Sequence, residues 1–239
     1  GLQADAGDHV LRRASVALSQ ARHQGGGQVH AYSEALAATA QRRIELEKGL
    51  HMALQEGQLQ LFVQPQVDMM GRVVSVEALV RWLHAERGDI APAEFIPIAE
   101  ETGLISAIDH WVRQQACHQA REWLGQGRPL GFIAVNISSR LFGNGDLDLQ
   151  IATVLASSGL AARHLELEIT ESAVMQDPDG ALELLQRLRA LGVQLAIDDF
   201  GTGYSSLQRL KRMNVHKLKI DQGFVRGLPA DREDAAITR

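Results

Sequence analysis

Residues 196–207 have the sequence Ala-Ile-Asp-Asp-Phe-Gly-Thr-Gly-Tyr-Ser-Ser-Leu, and this stretch decides the fold that we predict. An apolar strand ends in Asp198 and Asp199, and a turn containing Gly201 and Gly203 leads into a new helix. In α/β proteins the chemistry lies at the carboxyl ends of the strands. Two adjacent carboxylates repel each other unless they share a cation, so the pair indicates a hard divalent metal. The alternative is an aspartate helix cap preceded by an incidental second aspartate.

Length and charge narrow the class of protein. The chain has 239 residues, enough for one large α/β barrel or two modest domains. Its 24 basic and 29 acidic residues give a net charge of −5, which argues against a nucleic-acid polymer as partner. Cys117 is the single cysteine, so we expect no disulfide framework and a cytoplasmic, reducing location. No apolar run is long enough to cross a bilayer and no signal peptide opens the chain, while membrane attachment of a parent protein stays open.

From Leu59 onward the sequence alternates between strand and helix patterns. Six strands are predicted, at Leu59–Gln66, Val73–Trp82, Phe132–Ser138, Leu165–Thr170, Val193–Asp198 and His216–Asp221. Helices are predicted at about Pro92–Glu101, Leu104–Leu124, Leu147–Ser158, Asp179–Leu191 and Ser205–Lys211. Only residues 68–72 separate the first two strands, too few for a helical crossover, so these strands should pair antiparallel. The later strand–helix units predict a mainly parallel sheet.

The last five predicted strands share an unusual alternation. One face of each bears acidic, amide or basic side chains, among them Glu77, Arg81, Asn136, Glu166, Glu168, Asp198, Lys217 and Lys219. An open sheet covered by helices on both sides would be apolar on both faces. A solvated antiparallel face explains such alternation in one or two strands, but hardly in five that helices connect. We therefore predict an α/β fold of the TIM-like (β/α) barrel type, with polar alternates pointing inward.

The inward side chains indicate a reaction class. Four of them are oxygen donors, namely Glu77, Asn136, Glu168 and Asp198, and Asp199 lies just beyond. Hard oxygen donors of this kind suit Mg²⁺ or Mn²⁺ better than zinc. Lys219 at the edge of the set can hold an attacking water or offset charge on a phosphoryl oxygen, and Arg81 can grip a phosphate. These residues predict metal-assisted hydrolysis of a phosphodiester.

The motif Glu77-Ala-Leu-Val-Arg-Trp82 resembles the signature of EAL domains, the bacterial cyclic-di-GMP phosphodiesterase family. The resemblance continues in order along the chain. It includes Gln64-Pro65, Pro92, Phe95-Ile96-Pro97, Ala99-Glu100, Val135-Asn136, Glu168-Ile-Thr-Glu-Ser172, Asp198-Asp-Phe-Gly-Thr-Gly203 and Leu218-Lys-Ile-Asp221. A single Glu-Ala-Leu tripeptide has no diagnostic value, whereas this ordered series from Gln64 to Asp221 is very specific.

The resemblance implies a TIM-like barrel with an antiparallel first strand and hydrolysis of cyclic-di-GMP to linear pGpG. It implies that one Mg²⁺ or Mn²⁺ is held by Glu77, Asn136, Glu168 and Asp198, and that Asp199 serves a second metal. It further implies that Lys219 contacts the hydrolytic water and that Arg81 binds a phosphate. Gln64, Leu79 and Asp221 would seat the dinucleotide. Glu171 would brace the loop after Asp199, which the family uses to couple the site to dimerisation, so a homodimer is expected.

Three segments are predicted along the chain. Residues 1–32, with a helix at 8–22 and a short strand at 29–32, resemble the end of a GGDEF (diguanylate cyclase) domain, although the GGDEF signature itself is absent. Residues 33–57 would form a helical connector or first EAL helix capped by Ser33, and residues 58–239 the EAL domain. The parent protein would thus link GGDEF or sensory domains to this one.

One departure from the family pattern bears on activity. Family members continue through two more strands, one ending in a glutamate within a Glu-Gly-Val-Glu pattern and one with a Gln-Gly pair. Neither pattern occurs before Arg239, so we expect a barrel whose last strands are missing and whose own activity is in question. The alternatives are a non-hydrolytic cyclic-di-GMP receptor, a catalytically inactive piece, or a dimerisation scaffold.

Overall fold

A computed structural model of the protein describes residues 10–11, 13–18, 21–22, 27–143, 145–201 and 212–226. The described residues within the predicted helix 8–22 are helical. Residues 29–32 have no regular secondary structure, so the strand predicted there is wrong. The predicted helix Ser205–Lys211 and the turn residue Gly203 lie outside the described residues.

The elements agree with the predicted alternation of strands and helices. The strands are β1 Leu59–Val67, β2 Val73–His84, β3 Gly88–Ile90, β4 Ile133–Ile137, β5 Leu165–Thr170, β6 Gln194–Phe200 and β7 Lys217–Ile220. The helices are α1 Glu34–Gln55, α2 Pro92–Thr102, α3 Ile105–Gly125, α4 Ser139–Phe142, α5 Leu147–Ser158, α6 Glu171–Gln176, α7 Pro178–Ala190 and α8 Gln222–Arg226, with a 3₁₀ turn at Ala162–His164. The sequence analysis missed β3, α4, α6 and α8, because such short elements show no complete hydrophobic period.

The strands form one curled sheet in the order β1-β2-β4-β5-β6-β7, with β3 paired to β2. As predicted, β1 and β2 are antiparallel, and the pairs from β2 to β7 are parallel. The side chain of Lys219 on β7 lies 3.4 Å from that of Glu77 on β2, although three strands separate them in the sheet. Such a contact requires strong curvature. The fold is therefore the TIM-like α/β type that the alternation predicts.

The apolar alternates of the parallel strands lie in the main hydrophobic core. Ile133, Leu167 and Ile197 are buried there together with helix residues such as Val112 and Leu184. Burial of each such aliphatic side chain contributes about 1.5–3 kcal/mol. Because successive residues of a strand point to opposite faces, this burial directs the intervening polar residues towards the concave side of the sheet.

The helix before β6 begins and ends as its sequence predicts. The Asp177 carboxylate accepts a hydrogen bond of 3.1 Å from the backbone N–H of Gly180, and Pro178 occupies the first turn. Gly192, which follows the helix, has a positive φ of 89°. These signals fix the point at which the chain leaves α7 and enters the strand that ends in Asp198.

The long helix α1 packs into the hydrophobic core through Leu46, Leu50 and Ala53, and surface ion pairs join it to α2. Ser33 caps it as predicted, accepting a hydrogen bond from the N–H of Leu36, and Arg42 lies 2.6 Å from Glu94 on α2. Arg43 pairs with Glu101 about two helical turns further along α2. In the part of the chain that the structure describes, no helix combines the length and apolar character needed to cross a membrane.

Candidate active site

The register of the sheet brings the predicted site residues to the same end. Asn136 lies directly beside Glu168 across β4 and β5, while Glu77 pairs with the residue two positions before Asn136. Asp198 in turn lies beside Thr170, two positions after Glu168. This stagger is the shear of a barrel, and it lets side chains from distant sequence segments converge.

The convergence point is the ammonium group of Lys219. Its Nζ lies 2.6 Å from Glu168 Oε2, 2.7 Å from Asp198 Oδ2 and 3.4 Å from Glu77 Oε2. The Glu168 side chain is fully buried, whereas those of Glu77, Asp198 and Lys219 are about one-fifth exposed. We call these four residues the carboxylate cluster. It joins three of the four residues predicted as ligands of the first metal to the lysine predicted at the edge of the site.

The other carboxylate oxygens of the cluster have further neighbours. Glu77 Oε1 accepts a 2.9 Å hydrogen bond from Asn136 Nδ2, which brings the fourth predicted ligand into contact with the cluster. Asp198 Oδ1 accepts a 2.9 Å bond from the backbone N–H of Asp199. Glu168 Oε1 is buried without a hydrogen-bond partner. Within the described ranges, no group of three or more His, Cys, Asp and Glu side chains has the geometry of a preformed metal site.

Burial and charge shift the acid–base properties of the cluster. Burial raises the pKa of the Glu168 carboxyl to about 7; Lys219 opposes this shift, while the nearby carboxylates of Glu77 and Asp198 add to it. Burial on its own would lower the pKa of Lys219, but its hydrogen bonds to Asp198 and Glu168 outweigh burial and raise it. Lys219 is therefore a permanent cation at physiological pH.

Asp199 lies next to the cluster in a strained backbone conformation. Its φ is +52°, which residues with a Cβ rarely adopt, and the pairing of β6 with β7 shifts register between Ile197 and Phe200. Burial, followed by the charges of Asp198 and Asp221, raises the pKa of its carboxyl. The predicted second-metal residue and the predicted dinucleotide residue Asp221 are thus neighbours.

Glu171 contacts the loop that follows Asp199. Its Oε2 accepts a 2.9 Å hydrogen bond from the backbone N–H of Gly201, and its Oε1 is buried without a partner. Glu171 is the first residue of α6 and is 1% exposed. The bond is consistent with the bracing role that the family resemblance implies, and the role itself stays a prediction.

A second charged group lies one pleat below the cluster, towards the amino ends of the strands. Lys217 Nζ is 2.7 Å from Glu166 Oε1 and 4.3 Å from the centre of the Phe132 ring. Glu166 is fully buried, and Lys217 is 35% exposed at its side chain. We call Glu166 and Lys217 the lower pair. The strand alternation placed both residues on the inner face but did not predict that they pair.

The predicted phosphate-binding residue lies higher on β2, away from the cluster. Arg81 donates a 2.8 Å hydrogen bond to the carbonyl of Val80, and its guanidinium lies 5.8 Å from the ring centre of Phe62 on β1. It makes no ion pair with any residue in the described part of the chain. Gln64 lies directly opposite Glu77 in the β1–β2 register, and Leu79 lies opposite Phe62.

Phe62 is a candidate site residue that the sequence analysis missed. Phe62 is 48% exposed, and it shares the concave face with Gln64, because both lie opposite inward residues of β2. The signal was available, since the alternation within 60–64 places Phe62 beside Gln64 once β1 and β2 are paired.

Known proteins resemble this chain in sequence and in fold. Residues 47–239 match the family model of the EAL domain. The bifunctional diguanylate cyclase/cyclic di-GMP phosphodiesterase MucR of Pseudomonas aeruginosa is 44% identical over 95% of this chain and 33% of its own length. The cyclic di-GMP phosphodiesterase NbdA of the same organism is 39% identical over 97% of this chain and 30% of its own length. The chain thus spans about a third of each relative.

A solved structure shows the same fold at higher coverage. It is described as the PaMucR phosphodiesterase in complex with c-di-GMP, and it superimposes with a TM-score of 0.78 at 46% identity. The alignment covers 81% of this chain and 78% of that one.

Proposed function

This chain belongs to the EAL domain family, and we propose that it hydrolyses cyclic di-GMP to linear pGpG with the aid of Mg²⁺ or Mn²⁺. The observation on which the proposal depends is the convergence of Glu77, Glu168 and Asp198 on one cation, the Lys219 ammonium. The names of the relatives MucR and NbdA support the substrate. The chain spans about a third of these relatives, so the activity of any longer protein that contains it is part of the same proposal.

The donor set fits a divalent metal. Glu77, Asn136, Glu168 and Asp198 would hold one ion, and Asp199 would serve a second, because carboxylate and amide oxygens are the ligands that Mg²⁺ and Mn²⁺ prefer. Glu168 Oε1, which is buried and has no partner, supports the fit because a metal ion would satisfy it. A bound divalent ion would polarise a phosphoryl oxygen and lower the pKa of a bound water.

The reaction needs stabilisation of negative charge at the phosphorus. Water adds to the phosphorus of one phosphodiester, the bond from phosphorus to the 3′ oxygen breaks, and that oxygen takes up a proton, leaving pGpG. Lys219 is already protonated, so in our proposal it orients the water or offsets charge on the phosphoryl oxygens and does not accept the water's proton.

The rim above the cluster suits the rest of the dinucleotide. Arg81 has a guanidinium fork that is free of acidic partners among the described residues, and it can bind a phosphate in the way the resemblance implies. The exposed face of Phe62 beside it can stack a guanine base. Gln64, Leu79 and Asp221 complete the proposed seat.

The proposal is tested by incubating the chain with cyclic di-GMP and Mn²⁺ and following pGpG by chromatography. We expect Glu77→Ala to reduce turnover by at least about a hundredfold, because it removes a cluster carboxylate. Glu94→Ala is the matched control, since Glu94 forms a surface ion pair with Arg42 on the outer helices. Undiminished turnover in Glu77→Ala would contradict the assignment.

Cyclic di-GMP that binds tightly but yields no pGpG would favour the alternative, a non-hydrolytic receptor. A homodimer, a cytoplasmic location and regulation by linked GGDEF or sensory domains remain further proposals from the family resemblance.

A further inference from the structure

We propose that Lys219 serves as an internal counter-ion of the carboxylate cluster, and that a divalent cation binds there by displacing its ammonium. The inference rests on the proposed metal-dependent function and deepens it. It assigns Lys219 a role before catalysis, as a competitor for the metal's own ligands. A lysine that only contacted the hydrolytic water would have no such role.

The hydrogen bonds of the cluster support displacement over simple addition. Each of the three carboxylates gives one oxygen to the Lys219 ammonium, at 2.6, 2.7 and 3.4 Å. Of the remaining oxygens, Glu77 Oε1 accepts from Asn136 and Asp198 Oδ1 accepts from the Asp199 backbone. Among the buried atoms of the cluster only Glu168 Oε1 has no partner. One such oxygen cannot hold a divalent ion, and the point at which oxygens of all three carboxylates converge is held by the Lys219 ammonium, so we infer that a cation binding there displaces it.

Electrostatics also disfavours joint occupancy. An ammonium 2.6–3.4 Å from three carboxylates lies where a cation bound by those carboxylates would lie, and two cations at such separation repel each other strongly in a partly buried site. The lysine can leave because its side chain is flexible and 23% exposed. Once displaced, the ammonium stays tethered beside the site, where it can meet the water or the phosphoryl oxygen.

The same strand provides a matched control for this arrangement. Lys217 lies two residues earlier on the same face of β7 and also binds a fully buried glutamate. Its contacts are Glu166 and the Phe132 ring, and it does not touch the carboxylate cluster. Replacing either lysine by methionine changes the net charge equally. Only the Lys219 variant removes the proposed competitor.

The test is calorimetric titration of Mn²⁺ into the chain at pH 7.5, without substrate, for the unsubstituted protein, Lys219→Met, Lys219→Arg and Lys217→Met. We expect Lys219→Met to lower the dissociation constant of Mn²⁺ about tenfold or more, since binding no longer has to break the contacts of the ammonium. Lys219→Arg keeps the competing charge, and Lys217→Met leaves the cluster intact. Both should stay within about threefold of the unsubstituted value.

Thermal unfolding provides a second readout. In EDTA, Lys219→Met should melt below the unsubstituted chain, because three carboxylates then lack their counter-ion, and saturating Mn²⁺ should close or reverse that gap. An unchanged or larger dissociation constant in Lys219→Met would overturn the inference. So would failure of this variant to fold in saturating Mn²⁺, which would mean that the cation cannot replace the ammonium. Absence of Mn²⁺ binding in all four proteins would instead overturn the proposed metal site itself.

Discussion

Two lysines on β7 stand two residues apart on the same inner face, and their surroundings differ. Lys217 contacts one buried carboxylate, Glu166, and the face of an aromatic ring. Lys219 contacts three carboxylates, of which Glu168 is fully buried. The lower pair is balanced, one charge against one, whereas the carboxylate cluster gathers three acids around a single ammonium.

The difference separates a group built for stability from one built for binding. In the lower pair one negative charge faces one positive charge, and another cation there would only cost desolvation energy, although Glu166 Oε2 is buried without a hydrogen-bond partner. In the carboxylate cluster, burial together with the neighbouring negative charges raises the pKa of Glu168. A cation of higher charge than an ammonium would stabilise this cluster further. Strongly perturbed carboxylates in an open concavity are typical of functional sites.

The largest expected effect comes from matched glutamine substitutions in the two groups. Glu168→Gln should reduce pGpG formation by at least about a hundredfold, because a neutral amide replaces a carboxylate at the proposed metal site. Glu166→Gln should change turnover by less than about threefold, since its amide oxygen can still accept from Lys217 and the lower pair touches no proposed ligand. Steady-state kinetics with Mn²⁺ measures both. Equal losses would mean that the lower pair belongs to the site and that the comparison is wrong.

The sequence predicts the two groups only in part. Alternation along β5 and β7 correctly places Glu166, Glu168, Lys217 and Lys219 on one face, because strand side chains have a period of two. It cannot predict their partners, which depend on register and shear across strands. The register between β6 and β7 shifts where Asp199 adopts a positive φ, and nothing in the local sequence reveals that irregularity.

The fold is easier to predict from the sequence than the contacts between side chains in the site. The antiparallel first pair and the parallel pairing of the later strands follow from connection length and from the alternation of strand and helix patterns, which are local properties of the chain. The sequence predicts Lys219 at the edge of the site, but in the structure it lies in the middle of the carboxylate cluster. This position is a property of the assembled barrel. It arises because one flexible lysine side chain can reach carboxylates from three different strands at once, and only the three-dimensional structure reveals it.

An aromatic contact extends the comparison to the rim of the site. Phe132 lies against Lys217, which is paired with Glu166, whereas Phe62 lies against Arg81, which has no acidic partner among the described residues. We expect Phe62→Ala to raise KM for cyclic di-GMP about tenfold with little change in kcat, because base stacking on an aromatic contributes about 1–3 kcal/mol. Phe62→Tyr, which keeps the ring, should restore KM. An unchanged KM in Phe62→Ala would show that no base stacks there.

Asp109 is a third buried carboxylate that can be compared with Glu166 and Glu168, and its substitution has the smallest effect that we predict. Asp109 on α3 is 8% exposed and accepts a 3.2 Å hydrogen bond from the backbone N–H of Ser138, just after β4. Unlike Glu166 and Glu168, it makes no ion pair within the described ranges, and burial raises the pKa of its carboxyl despite the nearby charge of Arg113. The folded state therefore holds the proton of the Asp109 carboxyl more tightly than the unfolded chain, in which aspartates titrate at about pH 4.

The sign of the resulting pH dependence follows from that order of pKa values. The contribution of Asp109 to stability is fully present below the unfolded pKa and is lost as pH rises through the folded one. The free energy of unfolding of the unsubstituted chain, relative to Asp109→Asn, should thus fall as pH rises from about 4 towards neutrality. Urea unfolding followed by circular dichroism across that range, in EDTA, measures it. A relative stability that instead rises with pH would mean that Arg113 pairs with the carboxylate in solution, which would make Asp109 a balanced group like the lower pair.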